Sequence, residues 1–253
     1  MFARIRGLAL AAIPAAAIAL MAQRPVEAAP IQLGFILDSS GSIGSSNWST
    51  ITSGLATAIS SVVPQNGTYE ITVVKFSTTA ATVVAPTILT AANAAAVATS
   101  ISGTSFLAGN TNYAAAFTLM QSLLTPTIAA SSASYVNFAT DGEPNTGGNG
   151  ISERNALIAA GVDNLSIEGI GSGVDANFLR NSICYPGPCT NAPMYNFPTQ
   201  GFYLAVANAN SYANAIGEKI QVITNVPEPL SIALFGMGLA GLGVVVRRRA
   251  QAM

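Results

Sequence analysis

The stretch Phe35-Ile36-Leu37-Asp38-Ser39-Ser40-Gly41-Ser42-Ile43 decides the fold. An apolar run stops at a carboxylate, and two hydroxyls follow at alternating positions with a glycine between them. In an open α/β sheet a buried parallel strand ends where the chain meets solvent, and ligands gather in that crevice. A carboxylate and two hydroxyls there offer hard oxygen donors, which suit Mg²⁺ or a similar cation. The same residues also fit a capping turn, in which Asp38 or a nearby Ser satisfies the free amides of the next helix.

Downstream of this stretch, strand and helix signals alternate. Gln32–Leu37 reads as a buried strand, and Trp48, Ile51, Leu55, Ile59 and Val62 recur at helical spacing up to Pro64. Residues 69–76 form a β-branched and aromatic strand, and 81–85 a short one that pairs antiparallel at the sheet edge. Residues 91–101 read as a helix. Tyr113, Phe117, Met120 and Leu124 mark another, and 135–139 is a strand closing on Thr140-Asp141-Gly142. A helix over 152–160 and a strand over 165–170 come next, then a short helix capped by Asp175, a strand over 202–206 and a helix over 212–222. This rhythm predicts an α/β fold: a doubly wound, mostly parallel open sheet with helices on both faces, Rossmann-like in its layering.

Three loops of that scheme carry hard oxygen donors: Asp38, Ser40 and Ser42; Thr111 within Gly109-Asn110-Thr111-Asn112; and Asp141. Loops that follow parallel strands emerge on one edge, so residues distant in sequence can converge there. Taken singly, Thr111 also fits a helix N-cap before Tyr113, and Asp141 to Asn145 a plain turn.

In this order the residues resemble the von Willebrand factor type A (VWA) domain, from about Pro30 to Thr224. Its metal-ion-dependent adhesion site (MIDAS) is built from Asp-x-Ser-x-Ser, a distant Thr and a distant Asp. Asp38, Ser40 and Ser42 match the first element, Thr111 the second and Asp141 the third. Residues 71–77 also look like the family's second strand. The resemblance implies a divalent cation, Mg²⁺ first and Mn²⁺ second, coordinated directly by Ser40 and Ser42. Thr111 would bind directly or through water. Asp38 and Asp141 would hold waters from outside, as oriented outer groups commonly do. A Glu or Asp of a protein partner would complete the site. The segment around Cys184 and Cys189 departs from the family pattern and alters the footprint near that loop.

The two ends of the chain are apolar. Arg4 and Arg6 precede an Ala-rich run and Val26-Glu27-Ala28-Ala29, which reads as a secretory signal peptide over 1–29; an uncleaved anchor is the alternative. At the other end, Val226-Pro227-Glu228-Pro229 leads into an uncharged apolar run from Leu230 to Val246 and then Arg247-Arg248-Arg249. That run is at the short end of what spans a bilayer, and the arginines would hold the C-terminus in the cytoplasm. The arrangement resembles the PEP-CTERM sorting signal of Gram-negative bacteria, Pro227, Glu228 and Pro229 being the motif itself. The resemblance implies transient membrane anchoring, removal of the tail by an exosortase-type protease, and delivery to the cell surface or extracellular matrix. The segment 225–253 is thus a sorting segment, and 30–224 the VWA domain. Gly236-Met237-Gly238-Leu239-Ala240-Gly241 satisfies a dinucleotide-binding pattern but follows no strand and opens no βαβ unit. Small residues packing in a membrane helix explain it better.

Composition excludes several functions. Between Pro30 and Pro229 four basic side chains (Lys75, Arg154, Arg180, Lys219) face ten acidic ones, a net charge near −6, so nucleic acid is not an expected partner. Histidine is absent, which removes the usual imidazole base and leaves two cysteines short of a zinc site. Cys184 and Cys189 flank Tyr185-Pro186-Gly187-Pro188, and in an exported chain such a pair forms a disulfide that stiffens a surface excursion. The expected function is non-enzymatic: adhesion or binding through the cation. The alternatives are a surface structural protein with a purely stabilising metal site, and a metal-dependent hydrolase.

Overall fold

The computed structural model describes residues 28–191 and 196–225. All but the last two residues of the signal-peptide segment lie outside them, as do Pro227, Glu228, Pro229 and the apolar run beyond.

The element order is β1 (Ile31–Asp38), α1 (Gly44–Ser61), β2 (Asn66–Phe76), β3 (Ala80–Thr90), α2 (Ala94–Ser102), α3 (Tyr113–Ile128), β4 (Ala133–Thr140), α4 (Ile151–Ala159), β5 (Asn164–Ile170), α5 (Ala176–Phe178), a π-helical turn (Leu179–Ile183), β6 (Thr190–Asn191), β7 (Phe202–Val206) and α6 (Ala209–Thr224). Seven strands form one sheet in the order β3-β2-β1-β4-β5-β7-β6. All neighbours are parallel except β2 and β3, the antiparallel pair at one edge. The fold is therefore the doubly wound α/β sheet expected.

β1 is buried along its whole length, as a central strand covered on both faces must be. Its odd positions Leu33, Phe35 and Leu37 pack with Trp48, Ile51, Leu55 and Ile59 of α1 and with Tyr212, Ile216 and Ile220 of α6. Ile36 faces the other way, with Phe117, Met120 and Leu124 of α3, Val136 and Phe138 of β4, and Leu157 of α4. The side-chain period of two along each strand thus feeds two separate cores. From β1 the chain turns to β2 on one side and later to β4 on the other, so a topological switch point lies between β1 and β4.

Both ends of the domain leave from the opposite pole. Pro30 O, just before β1, accepts from Ser132 N at 2.8 Å. Thr224 O, at the end of α6, accepts from the Tyr69 hydroxyl near the start of β2 at 3.3 Å.

Several local features differ from the sequence expectation. β3 extends to Thr90 through Pro86, which an edge strand tolerates because its outward amide needs no partner. The cysteine segment contributes the two-residue strand β6. Cys184 and Cys189 are bonded to each other as expected, but both are buried in the α3–α4 core, so the bridge anchors the segment inward rather than stiffening an exposed loop.

Candidate metal centre

Asp38 closes β1, level with Thr140 of β4, and is 2% exposed. Its Oδ1 accepts from Ser40 N at 2.8 Å and its Oδ2 from the Thr140 hydroxyl at 2.6 Å. Burial pushes its pKa up to about 6, against the pull of those hydrogen bonds, with Asp141 adding a little repulsion. Asp38 does not cap α1: the N-cap position is Ile43, without a side-chain cap. The capping-turn reading of the first loop is thereby set aside.

The chain from Ser39 to Ser42 is tied to its neighbours by backbone. Ser39 N donates to Phe76 O at 2.7 Å and Gly41 N to Gly109 O at 2.9 Å, while the Ser39 hydroxyl accepts from Leu107 N at 2.9 Å. These bonds fix where the next two hydroxyls emerge. Ser40 Oγ and Ser42 Oγ lie 3.0 Å apart, and Ser42 Oγ donates to Asp141 Oδ1 at 2.7 Å. Burial raises the Asp141 pKa, partly offset by the Ser42 bond.

Thr111 is 3% exposed and held by its backbone: its N donates to Asn145 Oδ1 at 2.9 Å and its O accepts from Asn145 N at 3.0 Å. The cap of α3 is Asn112, whose side chain accepts from Ala115 N, so the alternative reading of Thr111 as N-cap is not realised. The Thr111 hydroxyl has no hydrogen bond to any described residue. A Cβ placed on Gly142 would lie 3.7 Å from Ser42 Oγ and 3.8 Å from Thr111 Oγ1. Both hydroxyls therefore border the space that Gly142 leaves open. Asp38, Ser40, Ser42, Thr111 and Asp141 all stand on the rim formed by the C-terminal ends of β1 and β4, across the switch point.

Supporting residues complete the rim. Tyr113, buried at the start of α3, donates to Gly142 O at 2.6 Å and rests edge-on against Phe138, ring centroids 4.8 Å apart. Phe138 stacks in turn on Phe76. This aromatic floor excludes water beneath the acidic groups, which is the physical reason Asp38 is so strongly desolvated. Sequence reasoning did not single out Thr140, Tyr113 or Asn145. Thr140 was signalled by its place one residue before Asp141, where the pleat turns its side chain toward Asp38.

The donor set fits a small hard cation. It is all oxygen, with two carboxylates to balance a double positive charge, and the Thr111 hydroxyl makes no hydrogen bond to the described residues.

Comparison with known proteins agrees with this architecture. The profile of the von Willebrand factor type A domain matches residues 32–203, and that of the PEP-CTERM protein-sorting motif residues 225–249. No curated protein sequence matches the chain. Among solved structures, proximal thread matrix protein 1 of the mussel byssus, in a form with a zinc-occupied MIDAS motif, superposes with a TM-score of 0.61 at 14% identity, over 78% of this chain and 46% of that one. The manganese-loaded TRAP protein of Plasmodium vivax gives 0.55 at 24% identity, over 76% and 74%. The pilus adhesin SpaC of Lactobacillus rhamnosus GG gives 0.59 at 12% identity, over 78% and 31%. The chain thus spans less than half the length of the mussel protein. These likenesses are of fold. With the profile covering most of the domain and the sorting motif directly after it, the chain belongs to the von Willebrand factor type A domain family and carries a PEP-CTERM sorting motif.

Proposed function

We propose that this chain is an exported surface or matrix protein whose VWA domain binds a protein partner through a divalent cation. Mg²⁺ is the first candidate and Mn²⁺ the second. Ser40, Ser42 and Thr111 would hold the ion, with Asp38 and Asp141 compensating its charge. The domain would run over 30–224, after a signal peptide (1–29) and before the sorting segment (225–253). Processing of that segment by an exosortase-type protease would follow transient anchoring through its apolar run.

One observation carries the reading: the hydroxyl of Thr111, a residue 3% exposed, makes no hydrogen bond to the described residues and borders the same opening as the Ser42–Asp141 pair. A hydroxyl oxygen that faces the opening with no protein partner is available as a ligand to a hard cation. When bound, the cation would supply a Lewis-acidic position open to a carboxylate oxygen. The protein's part is orientation. The Ser39 and Gly41 backbone bonds hold the serine loop, Asn145 holds Thr111, and Tyr113 holds Gly142.

The position of the termini supports surface display. The sorting segment starts just after Thr224, at the pole opposite the candidate site, so an anchored chain would present the site away from the membrane. Catalysis is not part of the proposal. The chain has no histidine, and its rim acids are occupied with the serine loop.

Calorimetric titration of the full chain with Mg²⁺ and Mn²⁺, beside Asp38→Ala, tests this. Saturable heat in the wild type and none in the variant is expected; no heat in either overturns it. A site that only stabilises would raise the melting temperature with metal, yet capture no surface protein in a chelator-sensitive manner.

A further inference from the structure

Four basic side chains serve the domain, and three are fully engaged. Lys75 Nζ donates to Ser105 O at 2.6 Å and to the Ser105 hydroxyl at 3.1 Å. Arg154 donates to Ile183 O, Cys184 O and Asn155 Oδ1, and lies over the Tyr185 ring. Lys219 meets Glu168 at 2.8 Å and Asn137. Arg180 is different. Its Nε donates to Cys189 O at 3.1 Å, and its two terminal nitrogens make no hydrogen bond to the described residues.

Arg180 stands in the π-helical turn, which Cys184 N closes onto Leu179 O at 2.9 Å. Such turns widen a helix locally and are frequent at functional positions. The disulfide segment mounts it: Cys189 N donates to Arg180 O at 3.1 Å while Cys189 O receives the guanidinium Nε, a reciprocal pair. The guanidinium therefore has a fixed base and a free end.

Arg180 lines a cavity of about 560 Å³ together with Gly171, Val174, Ala176, Tyr203 and Leu204. Tyr203 is 4% exposed, and its hydroxyl has no hydrogen bond to any described residue. The phenol crosses β5 at Gly169, where any Cβ would collide with it, so the missing side chain lets the hydroxyl reach this position. Burial raises the Tyr203 pKa, and the Arg180 charge draws it down. None of the lining residues is acidic.

We propose that Arg180 and Tyr203 form a carboxylate-binding pocket for an acidic side chain or C-terminus of a peptide ligand. Two terminal guanidinium nitrogens match the two oxygens of one carboxylate, and the phenol adds a third donor. A single positive charge suits a single negative one, and Val174, Ala176 and Leu204 offer apolar surface to the methylene stem. The pocket is joined to the candidate metal centre by one loop. Gly173, beside Val174 of the pocket wall, is so close to Asp141 that a Cβ there would lie 2.5 Å from Asp141 O. One extended peptide could touch both places, but the pocket requires no metal.

Fluorine NMR of trifluoroacetate, titrated with the full chain in detergent and excess EDTA, tests it. The wild type should give a saturable shift, displaced by acetate. Arg180→Gln should weaken binding about tenfold or more, and Tyr203→Phe about threefold to tenfold. Tyr203→Phe breaks no hydrogen bond to a described residue, so it reports on the pocket even if Arg180→Gln fails to fold. Undiminished affinity in Tyr203→Phe or in folded Arg180→Gln overturns the proposal, as does tighter displacement by inorganic phosphate than by acetate. Because EDTA is present throughout, this outcome is independent of whether the metal titration succeeds.

Discussion

Ser42 Oγ donates to Asp141 Oδ1 at 2.7 Å, joining two residues 99 positions apart across the switch point of the sheet. In the metal-free protein this bond is open to water and contributes about 0.5 kcal/mol, the low end for a hydrogen bond. If the same hydroxyl is a cation ligand, Ser42→Ala should cost far more in metal affinity than in folding. The expected result is a loss of about tenfold or more in Mg²⁺ affinity by calorimetry, against a metal-free urea midpoint that barely moves. Equal loss in both would make Ser42 a structural residue only.

Asp38 sets a pH dependence whose sign follows from burial. Its folded pKa of about 6 lies above the ordinary 3.8, so between those values the folded chain binds more protons than the unfolded one. The metal-free protein should therefore lose stability as pH rises from about 4 through 6, by about 3 kcal/mol at most. Asp38→Asn removes the ionisation; its Oδ1 still accepts from Ser40 N, and its Nδ2 donates to Thr140 Oγ1, whose hydrogen turns to Gly142 O. Without metal, it should melt higher than the wild type at pH 7.5, and the gap should close at pH 4.5. Protons and cation compete for the same carboxylate, so metal-dependent stabilisation of the wild type should fade below about pH 6. A metal-free stability that is flat over this range would contradict the burial argument.

The fold was legible because its main signals are local. β1 is an apolar run with an abrupt end, and α1 repeats Trp48, Ile51, Leu55 and Ile59 on one face. The five rim residues were legible for a related reason: each sits at an element boundary, where strand order alone dictates which edge it joins. What escaped was whatever depends on packing in three dimensions. Arg180 and Tyr203 are 23 positions apart yet line one cavity, Tyr203 lying across β5 where Gly169 lacks a side chain. The π turn has no periodicity signal of its own. Nor does charge reveal depth: Glu168 and Lys219, two of the domain's few charged side chains, lie 0% and 1% exposed between β5 and α6.

That buried pair yields a double-mutant prediction. Lys219 Nζ meets Glu168 Oε1 at 2.8 Å, beside Asn137 and over the Phe202 ring at 4.8 Å. Burial raises the Glu168 pKa and lowers that of Lys219, while each charge opposes the shift in the other. Lys219→Met strands the carboxylate and should cost about 3–5 kcal/mol in urea unfolding. Adding Glu168→Leu replaces both charges with apolar volume and should recover most of that loss. Additive losses in the double variant would mean the two side chains do not act as a pair.

Two glycines on facing helices should respond to alanine with opposite signs. At Gly54 in α1, a Cβ would lie 2.7 Å from Ala213 Cα and Cβ in α6, so the helices approach through the missing side chain. Gly54→Ala must push α6 outward and should destabilise by about 1–3 kcal/mol. Gly217, one turn further along α6, has nothing within 4 Å of its Cβ position and needs no left-handed backbone. There alanine gains helix propensity and reduces the freedom of the unfolded chain, so Gly217→Ala should stabilise by about 0.5–1 kcal/mol. Urea denaturation of the two variants side by side checks this. Destabilisation by Gly217→Ala would mean that the groove between α1 and α6 is filled in the folded protein, and tolerance of Gly54→Ala would mean that α6 is free to shift on α1.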